Sequence, residues 1–246
     1  MLKGSALNTV IPVQPVKRVK GVFEAKFEVP RHLRGMLAAL LKHKAEIPHK
    51  FASSRVKTLY FDDLKGTSFF DSRDGQLVKR KYRLREYLGV QEGGAIYSIE
   101  VKLRDGTLTG KVKRLIYGRP PHGFSFKTFR SLISALEDIE GAEFNDLRVE
   151  LPEDELYPSA EIFYERDRFE DPREDARYNL DTNISMRPLA TGGGEGGAAG
   201  GGAVTLAHDI LEIKSKRPGF FPHFLEGLGL HPFSFSKFVW GRTVLE

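Results

Sequence analysis

The segment Lys79-Arg80-Lys81-Tyr82-Arg83-Leu84-Arg85 constrains this chain more than any other. A strand turns successive side chains to opposite faces, so Lys79, Lys81, Arg83 and Arg85 share one side while Tyr82 and Leu84 take the other. Neighbours on that side stand about 6 to 7 Å apart, and each adjacent pair repels by roughly 2 to 3 kcal/mol at an effective dielectric near 20. Such a row needs water, acids or a bound polyanion beside it. The pattern recurs. Glu24, Lys26 and Glu28 lie opposite Phe23, Ala25, Phe27 and Val29, and Glu100, Lys102 and Arg104 lie opposite Val101 and Leu103. Lys111 shares a face with Lys113, Glu212 with Lys214 and Lys216, and Arg177 with Asn179, Asp181 and Asn183. Several charged strand faces in one β-rich chain need a common cause, either an open, half-exposed sheet or a barrel with a polar interior. A small barrel normally fills its interior with side chains. One lined by Lys, Arg and Glu is a water-filled, anion-selective tunnel.

The remaining elements fit that architecture. Strands are expected at Phe23 to Val29, Val56 to Phe61, Gln76 to Tyr87, Ile96 to Arg104, Thr107 to Ile116, Leu147 to Leu151, Ala160 to Arg168, Ala176 to Ile184 and Val204 to Lys214. Asp74-Gly75 and Asp105-Gly106 are tight-turn dipeptides that predict two hairpins. Leu33, Met36, Leu37, Leu40 and Leu41 form a helical stripe after Pro30, and Phe126, Phe129, Leu132, Ile133 and Leu136 form another with Ser125 as N-cap. A short helix is expected around Phe221 to Leu228. Tyr60, Phe61, Phe220, Phe221 and Trp240 are read as packing residues. The stretch from Thr191 to Gly202 holds 8 of the 25 glycines and reads as a flexible hairpin connection. Residues 1–19 read as an N-terminal extension, and 20–246 as a single domain.

Charge is unevenly spread. From Glu137 to Asp175 there are 16 acidic and 4 basic residues, a local net of −12 that leaves +17 on the rest of the chain. Lys79 to Arg119 carries 11 basic against 4 acidic residues, so the cations concentrate in the β-like stretch. The acidic segment is read as a solvated outer face. The absence of cysteine excludes disulfides, thiolate zinc sites and cysteine nucleophiles. No run approaches the 18 apolar residues of a transmembrane helix, and the N-terminus lacks a secretory h-region, so a cytoplasmic protein is expected. Gly106 to Lys111 imitates a P-loop, but three residues separate its glycines and Val112 stands where a hydroxyl would hold magnesium. Nucleic acid is an improbable partner, because Tyr82 alone interrupts the basic row and faces away from it. Glu24, Glu100 and Glu212 each precede a lysine by two residues; as hard oxygen ligands they suit Mg²⁺ or Mn²⁺ shared with substrate phosphates, or else pair with neighbouring cations.

These segments resemble the VTC domain, the polyphosphate polymerase branch of the triphosphate tunnel metalloenzymes. The matching pieces are Phe23-Glu24-Ala25-Lys26-Phe27, Leu59-Tyr60-Phe61-Asp62, Lys81 to Arg85, Glu100-Val101-Lys102, Tyr164-Glu165-Arg166, Arg177 to Asn183, Glu212-Ile213-Lys214 and Phe235-Ser236-Lys237-Phe238. They run in family order from about residue 20 to 240. The resemblance implies an α+β, mainly antiparallel fold, a closed eight-stranded-type β-tunnel with flanking helices. It implies that Lys26, Arg83, Arg85, Lys102, Arg166, Arg177 and Lys237 contact phosphates and act in catalysis, and that Glu212 holds a divalent metal, with Glu100 as a second candidate ligand. Lys81, Lys111, Lys113, Lys214 and Ser236 complete the expected substrate contacts. The order Glu24-x-Lys26-x-Glu28 departs from the Glu-x-Glu-x-Lys strand of the adenylate cyclase and thiamine triphosphatase branch. Eukaryotic polymerase subunits carry an inositol-phosphate-sensing domain and work with membrane helices. Neither is read here, so coupling to translocation would need a separate membrane-protein partner.

The expected reaction is transfer of the ATP γ-phosphate to the end of a polyphosphate chain, releasing ADP, with Mn²⁺ or Mg²⁺ as cofactor. A chain-end phosphate is already ionised, so positioning and charge stabilisation suffice. Hydrolysis of triphosphate is the nearest alternative, needing water oriented by a carboxylate such as Glu24, Glu28 or Glu100; Asp181 is a further carboxylate with either that role or a structural one. A non-catalytic polyphosphate-binding module is the alternative from another class.

Overall fold

Alternating sequence becomes alternating burial along the strands of the computed structural model, which describes residues 22–48, 52–91, 94–106, 108–118, 127–141, 143–187, 189 and 202–244. The N-terminal extension, Ser125 and most of the glycine-rich stretch lie outside the described residues. Along the chain the elements are β1 (Phe23–Val29), α1 (Arg34–Lys44), β2 (Ser53–Asp62), α2 (Thr67–Arg73), β3 (Val78–Gln91), β4 (Gly94–Asp105), β5 (Leu108–Gly118), α3 (Phe129–Glu140), α4 (Asn145–Arg148), β6 (Tyr157–Asp171), β7 (Ala176–Arg187), β8 (Val204–Thr205), β9 (Asp209–Ser215) and α5 (Lys237–Thr243). Single 3₁₀ turns at Arg31–Leu33 and His223–Leu225 complete the set. None of the described helices is long and apolar enough to cross a membrane.

The strands form one antiparallel sheet in the order β1-β9-β7-β6-β2-β3-β4-β5, with β8 paired to β7. Although β1 and β4 are far apart in that order, Glu24 of β1 lies 3.5 Å from Lys102 of β4, so the sheet curls round a shared interior. The expected hydrogen-bonded closure is not made. Among the described residues no ladder joins β5 to β1, and side chains bridge the space instead.

Three apolar clusters fix this shape. Outside, Tyr82, Ile99, Val101 and Val112 pack with Phe129, Leu132, Ile133 and Leu136 of α3. Also outside, Phe27, Val29, Tyr178 and Leu211 pack with Leu37 and Leu41 of α1 and Leu225. The third cluster is internal: Val56, Tyr60, Tyr87, Ile96, Ile162, Tyr164, Ile184, Met186 and Ile210 converge on Phe238 of α5. A Cβ at Gly241 would stand 2.9 Å from Ile162 Cδ1, so glycine permits α5 to approach β6 this closely. Tyr60, Phe61, Phe220, Phe221 and Trp240 all pack in these clusters as expected.

Local departures have local causes. Asp105-Gly106 does turn the β4–β5 hairpin, whose ladder runs to Asp105 opposite Leu108. Asp74-Gly75 instead ends α2: the Asp74 N–H donates to Phe70 O, and Gly75 has φ 74°. The start of α2 is fixed by Asp62, whose carboxylate accepts from the Ser68 and Phe69 N–H groups at 2.9 Å each. Thr128 caps α3 in a capping box with Ser131. The strand expected at Leu147 to Leu151 is instead the end of α4 and a turn, because this short apolar run buries Leu147 against α3. The helix expected at Phe221 to Leu228 shrinks to one 3₁₀ turn, and α5 was not foreseen. The acidic segment pairs with basic residues of the chain itself: Glu137 with Arg148, Asp146 with Arg114, Glu161 with Lys57 and Asp175 with Lys216.

Candidate functional site

Inward positions at the other half of the tunnel are charged, and the ladder register sets their rows. Arg83 stands opposite Glu100, which stands opposite Lys113. Lys26 faces Glu212 and then Asn179, while Glu24 faces Lys214 and then Arg177. One row consists of lysines alone: Lys81, Lys102 and Lys111 are direct cross-strand partners on β3, β4 and β5, an acid-free row. Directly opposed like charges are destabilising in a sheet. At about 5 Å and an effective dielectric near 20, each adjacent pair repels by on the order of 3 kcal/mol.

The carboxylates fall into two groups. Glu100, fully buried, accepts from Arg83 Nε at 3.0 Å and Nη2 at 2.5 Å through Oε2, and from Ser98 Oγ at 2.8 Å through Oε1. Arg85 Nη1 lies 3.6 Å from the same Oε2. Asp181 accepts a fork from Arg166 at 2.5 and 2.6 Å, with Lys237 Nζ at 2.5 Å. Both acids hold cations in place. Glu24 and Glu212 instead share the ammonium of Lys214, which lies 3.4 Å from Glu24 and hydrogen-bonds Glu212. Asn179 Nδ2 donates to Glu212 at 3.0 Å, and Lys26 lies 3.2 Å from Glu24.

Among the described residues no group of three or more His, Asp or Glu is placed to hold a metal by itself. Glu24 and Glu212 nonetheless fit Mg²⁺ or Mn²⁺, since they are two hard oxygen donors already gathered round one cationic group, and such ions take their other ligands from water and phosphate. Glu100 does not fit the metal role expected of it as well. Fully buried and bound by the Arg83 guanidinium and the Ser98 hydroxyl, it suits a clamp on Arg83.

Electrostatics follow from burial. Burial opposes charge on Glu100, Glu24 and Glu212, but the surrounding lysines and arginines hold all three carboxyls below the usual carboxylate range. The acid-free row responds the other way. Lys81 is pushed well down by burial and by Lys102 and Lys26. Lys102 falls to about 8, mainly through burial, although Glu24 pulls it up. Lys111 falls to about 7, since burial and the neighbouring cations outweigh the upward pull of Glu100.

Segment 235–237 joins the site from the C-terminal side. Lys26 Nζ donates to the Phe235 carbonyl at 2.7 Å, and Lys81 Nζ to Ser236 Oγ at 2.8 Å. Ser236 also caps α5, accepting from the Val239 N–H. Thus the structure brings together Lys26, Lys81, Arg83, Arg85, Lys102, Lys111, Lys113, Arg166, Lys214, Ser236 and Lys237 with Glu24, Glu100, Asp181 and Glu212. It leaves three residues aside. Arg177 is exposed at the rim, and Glu28 is exposed and lies 3.1 Å from His208. Asn183 adopts φ 51° at a bulge and donates to Glu165, so Ile184 and Met186 face inward in place of its polar row. Sequence reasoning passed over Ser98 and Thr58 and gave Tyr164 no role of its own; Ser98 has the inward parity of Glu100 and Tyr164 that of Arg166, whereas no site residue was selected on β2 to point to Thr58.

In solved structures, the tunnel matches an adenylyl cyclase candidate from Hippeastrum described as having a dominant triphosphatase activity, at TM-score 0.52 and 16% identity, covering 91% of this chain and 96% of that one. At this identity the likeness speaks for the fold alone. The PH1819 protein from Pyrococcus horikoshii OT3 gives TM-score 0.44 at 11% identity, covering 87% of this chain and 93% of that one. An adenylate cyclase candidate from Bacillus halodurans gives 0.45 at 13%, covering 79% and 82%. No curated protein matches the sequence. The VTC domain, by contrast, matches residues 7–246, nearly the whole length, and the chain belongs to that family.

Proposed function

We propose that this protein is a metal-dependent phosphotransferase that extends polyphosphate with the γ-phosphate of ATP and releases ADP. The observation that carries this reading is the acid-free row of Lys81, Lys102 and Lys111 inside a tunnel. Three half-buried amines in register repel one another, and a polyanion laid across them turns that repulsion into attraction. A chain of phosphates supplies a charge at every unit, as the spacing of strand partners does on the protein side. Arg83 and Arg166 add planar forks whose orientation is already fixed by Glu100 and Asp181, so little is lost in ordering them around phosphate oxygens.

Transfer is favoured over hydrolysis by the state of the carboxylates. Water needs a base to take its proton, and Glu24, Glu100 and Glu212 are all held as weak bases by their cations. A terminal phosphate of the acceptor chain needs none. Donor and acceptor laid end to end along the tunnel are aligned for in-line attack, and Lys and Arg stabilise the charge on the transferred group. Mn²⁺ or Mg²⁺, when bound, supplies further charge neutralisation at phosphate oxygens, with Glu212 and Glu24 as the residues that hold it.

The test is incubation of purified protein with ATP and Mn²⁺, following ADP, free phosphate and polyphosphate length together. Long chains with matching ADP are expected. Free phosphate without chains, together with cleavage of tripolyphosphate, would replace this reading with a triphosphatase. Glu212→Gln is expected to abolish metal-dependent turnover while sparing tripolyphosphate binding; unchanged turnover would remove Glu212 from the mechanism.

A further inference from the structure

Two polar atoms inside the tunnel have no partner. Thr58 Oγ1 and Arg85 Nε are both buried without a hydrogen bond. Buried polar groups are almost always paired, and each orphan costs on the order of 1 to 3 kcal/mol, so two together call for an explanation. They are also neighbours: Thr58 and Arg85 are direct partners in the β2–β3 ladder, both on inward positions. Thr58 retains only 1% exposure.

The surroundings define the chemistry. Apolar and charged side chains are mixed around this pair: Ile162 stands opposite Thr58 on β6, Val56 and Tyr60 flank Thr58 on β2, and Phe238 stacks on Tyr60. Arg83 stands opposite Tyr60 and Arg166 opposite Ser54, oriented by Glu100 and Asp181, with Lys237 beside Asp181. Tyr164 borders the pair as well: burial alone would raise its phenol, yet Arg85 and Arg166 hold it below its ordinary value. An atom placed between Thr58 Oγ1 and Arg85 Nε would therefore meet a hydroxyl, a guanidinium N–H and a strongly positive field. That environment suits an anionic oxygen.

We propose that Thr58 Oγ1 and Arg85 Nε form a seat inside the tunnel for one phosphoryl oxygen. The hydroxyl of Thr58 donates to that oxygen, as does Arg85 Nε. Thr58 is thereby a binding residue of the tunnel. This deepens the reading of the tunnel as a phosphate-chain site and rests on it.

Calorimetric titration of the whole protein with tripolyphosphate tests the seat, comparing wild type with Thr58→Val and Thr58→Ser. Valine keeps the shape and removes one orphaned hydroxyl, so the melting temperature is expected to hold or rise. Affinity is expected to fall about tenfold in Thr58→Val, the worth of one charge-assisted hydrogen bond, and to stay within about threefold of wild type in Thr58→Ser. Equal affinity for wild type and Thr58→Val would overturn the seat and leave the tunnel reading intact. A wild type that binds tripolyphosphate without turning over ATP, with the Thr58→Val loss present, would uphold the seat and remove the transferase. A wild type that does not bind tripolyphosphate would remove both.

Discussion

The charged and apolar halves of the tunnel interior are cut from the same strands. On β3 the inward series runs Lys79, Lys81, Arg83, Arg85 and then Tyr87; on β4 it runs Arg104, Lys102, Glu100, Ser98 and then Ile96. Nothing changes in backbone geometry between the halves, since the same antiparallel register continues through both. What changes is whether burial pays. In the apolar half each inward side chain removes hydrocarbon from water and meets Phe238, which stabilises the fold. In the charged half burial opposes the charge of nearly every group. Along β3 and β4 stability and function have been separated, and the change falls after Arg85 and Ser98.

The largest effect should come from the apolar half. Phe238 is stacked on Tyr60 at 4.9 Å between ring centroids and is almost fully buried. Phe238→Ala should cost about 3 to 5 kcal/mol, much of the stability of a typical domain, and should be read as a lowered denaturation midpoint in urea. Because Lys237 and Ser236 precede it, binding should fail together with the fold. A variant that kept its midpoint would show that α5 is a removable appendage and that the two halves are not built as contrasted here.

The opposite substitution sharpens the contrast. Lys111→Met removes one amine from the acid-free row while preserving its aliphatic stem. The midpoint should stay or rise, because a buried repulsion is relieved. Tripolyphosphate affinity should drop by about thirtyfold, or about 2 kcal/mol for a lost charged contact. A lowered midpoint with unchanged affinity would reverse the assignment, making the row structural and sending the search for the anion elsewhere.

How far the sequence discloses these halves depends on how local the determining interaction is. The period of two along Lys79 to Arg85 encodes which side each residue takes, and no partner is needed to read it. The ordered segments that resemble the VTC domain likewise point to the family from the sequence alone. By contrast, Asp74-Gly75 encodes a positive-φ turn without saying what it joins, and here it ends α2. The bulge at Asn183 breaks the period, exchanging a polar inward row for Ile184 and Met186, and an alternating pattern cannot announce its own interruption. The seven residues of α5 are too few to carry a helical signature, and their helix is held by the cavity that Phe238 fills. Least legible was the difference among carboxylates. Glu24, Glu100 and Glu212 all precede a lysine by two, and only the register shows that Glu100 clamps Arg83 while the other two share Lys214.

The smallest effect is in proton balance, and it distinguishes the halves by sign. An unfolded chain keeps its lysine protons up to about 10.5, whereas the folded tunnel releases them from Lys111 near 7 and from Lys102 near 8. The folded state thus binds fewer protons between these values, so the stability of the free protein should rise with pH from about 7 upward. A bound polyphosphate restores the amines to their charged form. Its binding should take up about 1.4 protons at pH 8 and weaken about tenfold between pH 7 and pH 8. Calorimetry in buffers of differing ionisation enthalpy measures the uptake directly. Lys111→Met should remove most of it at pH 8, while Thr58→Val should leave it unchanged, since a hydroxyl carries no proton to exchange in this range. Uptake that persisted in Lys111→Met would place the titrating amine outside the acid-free row, and the energetic contrast between the two halves would then rest on shape alone.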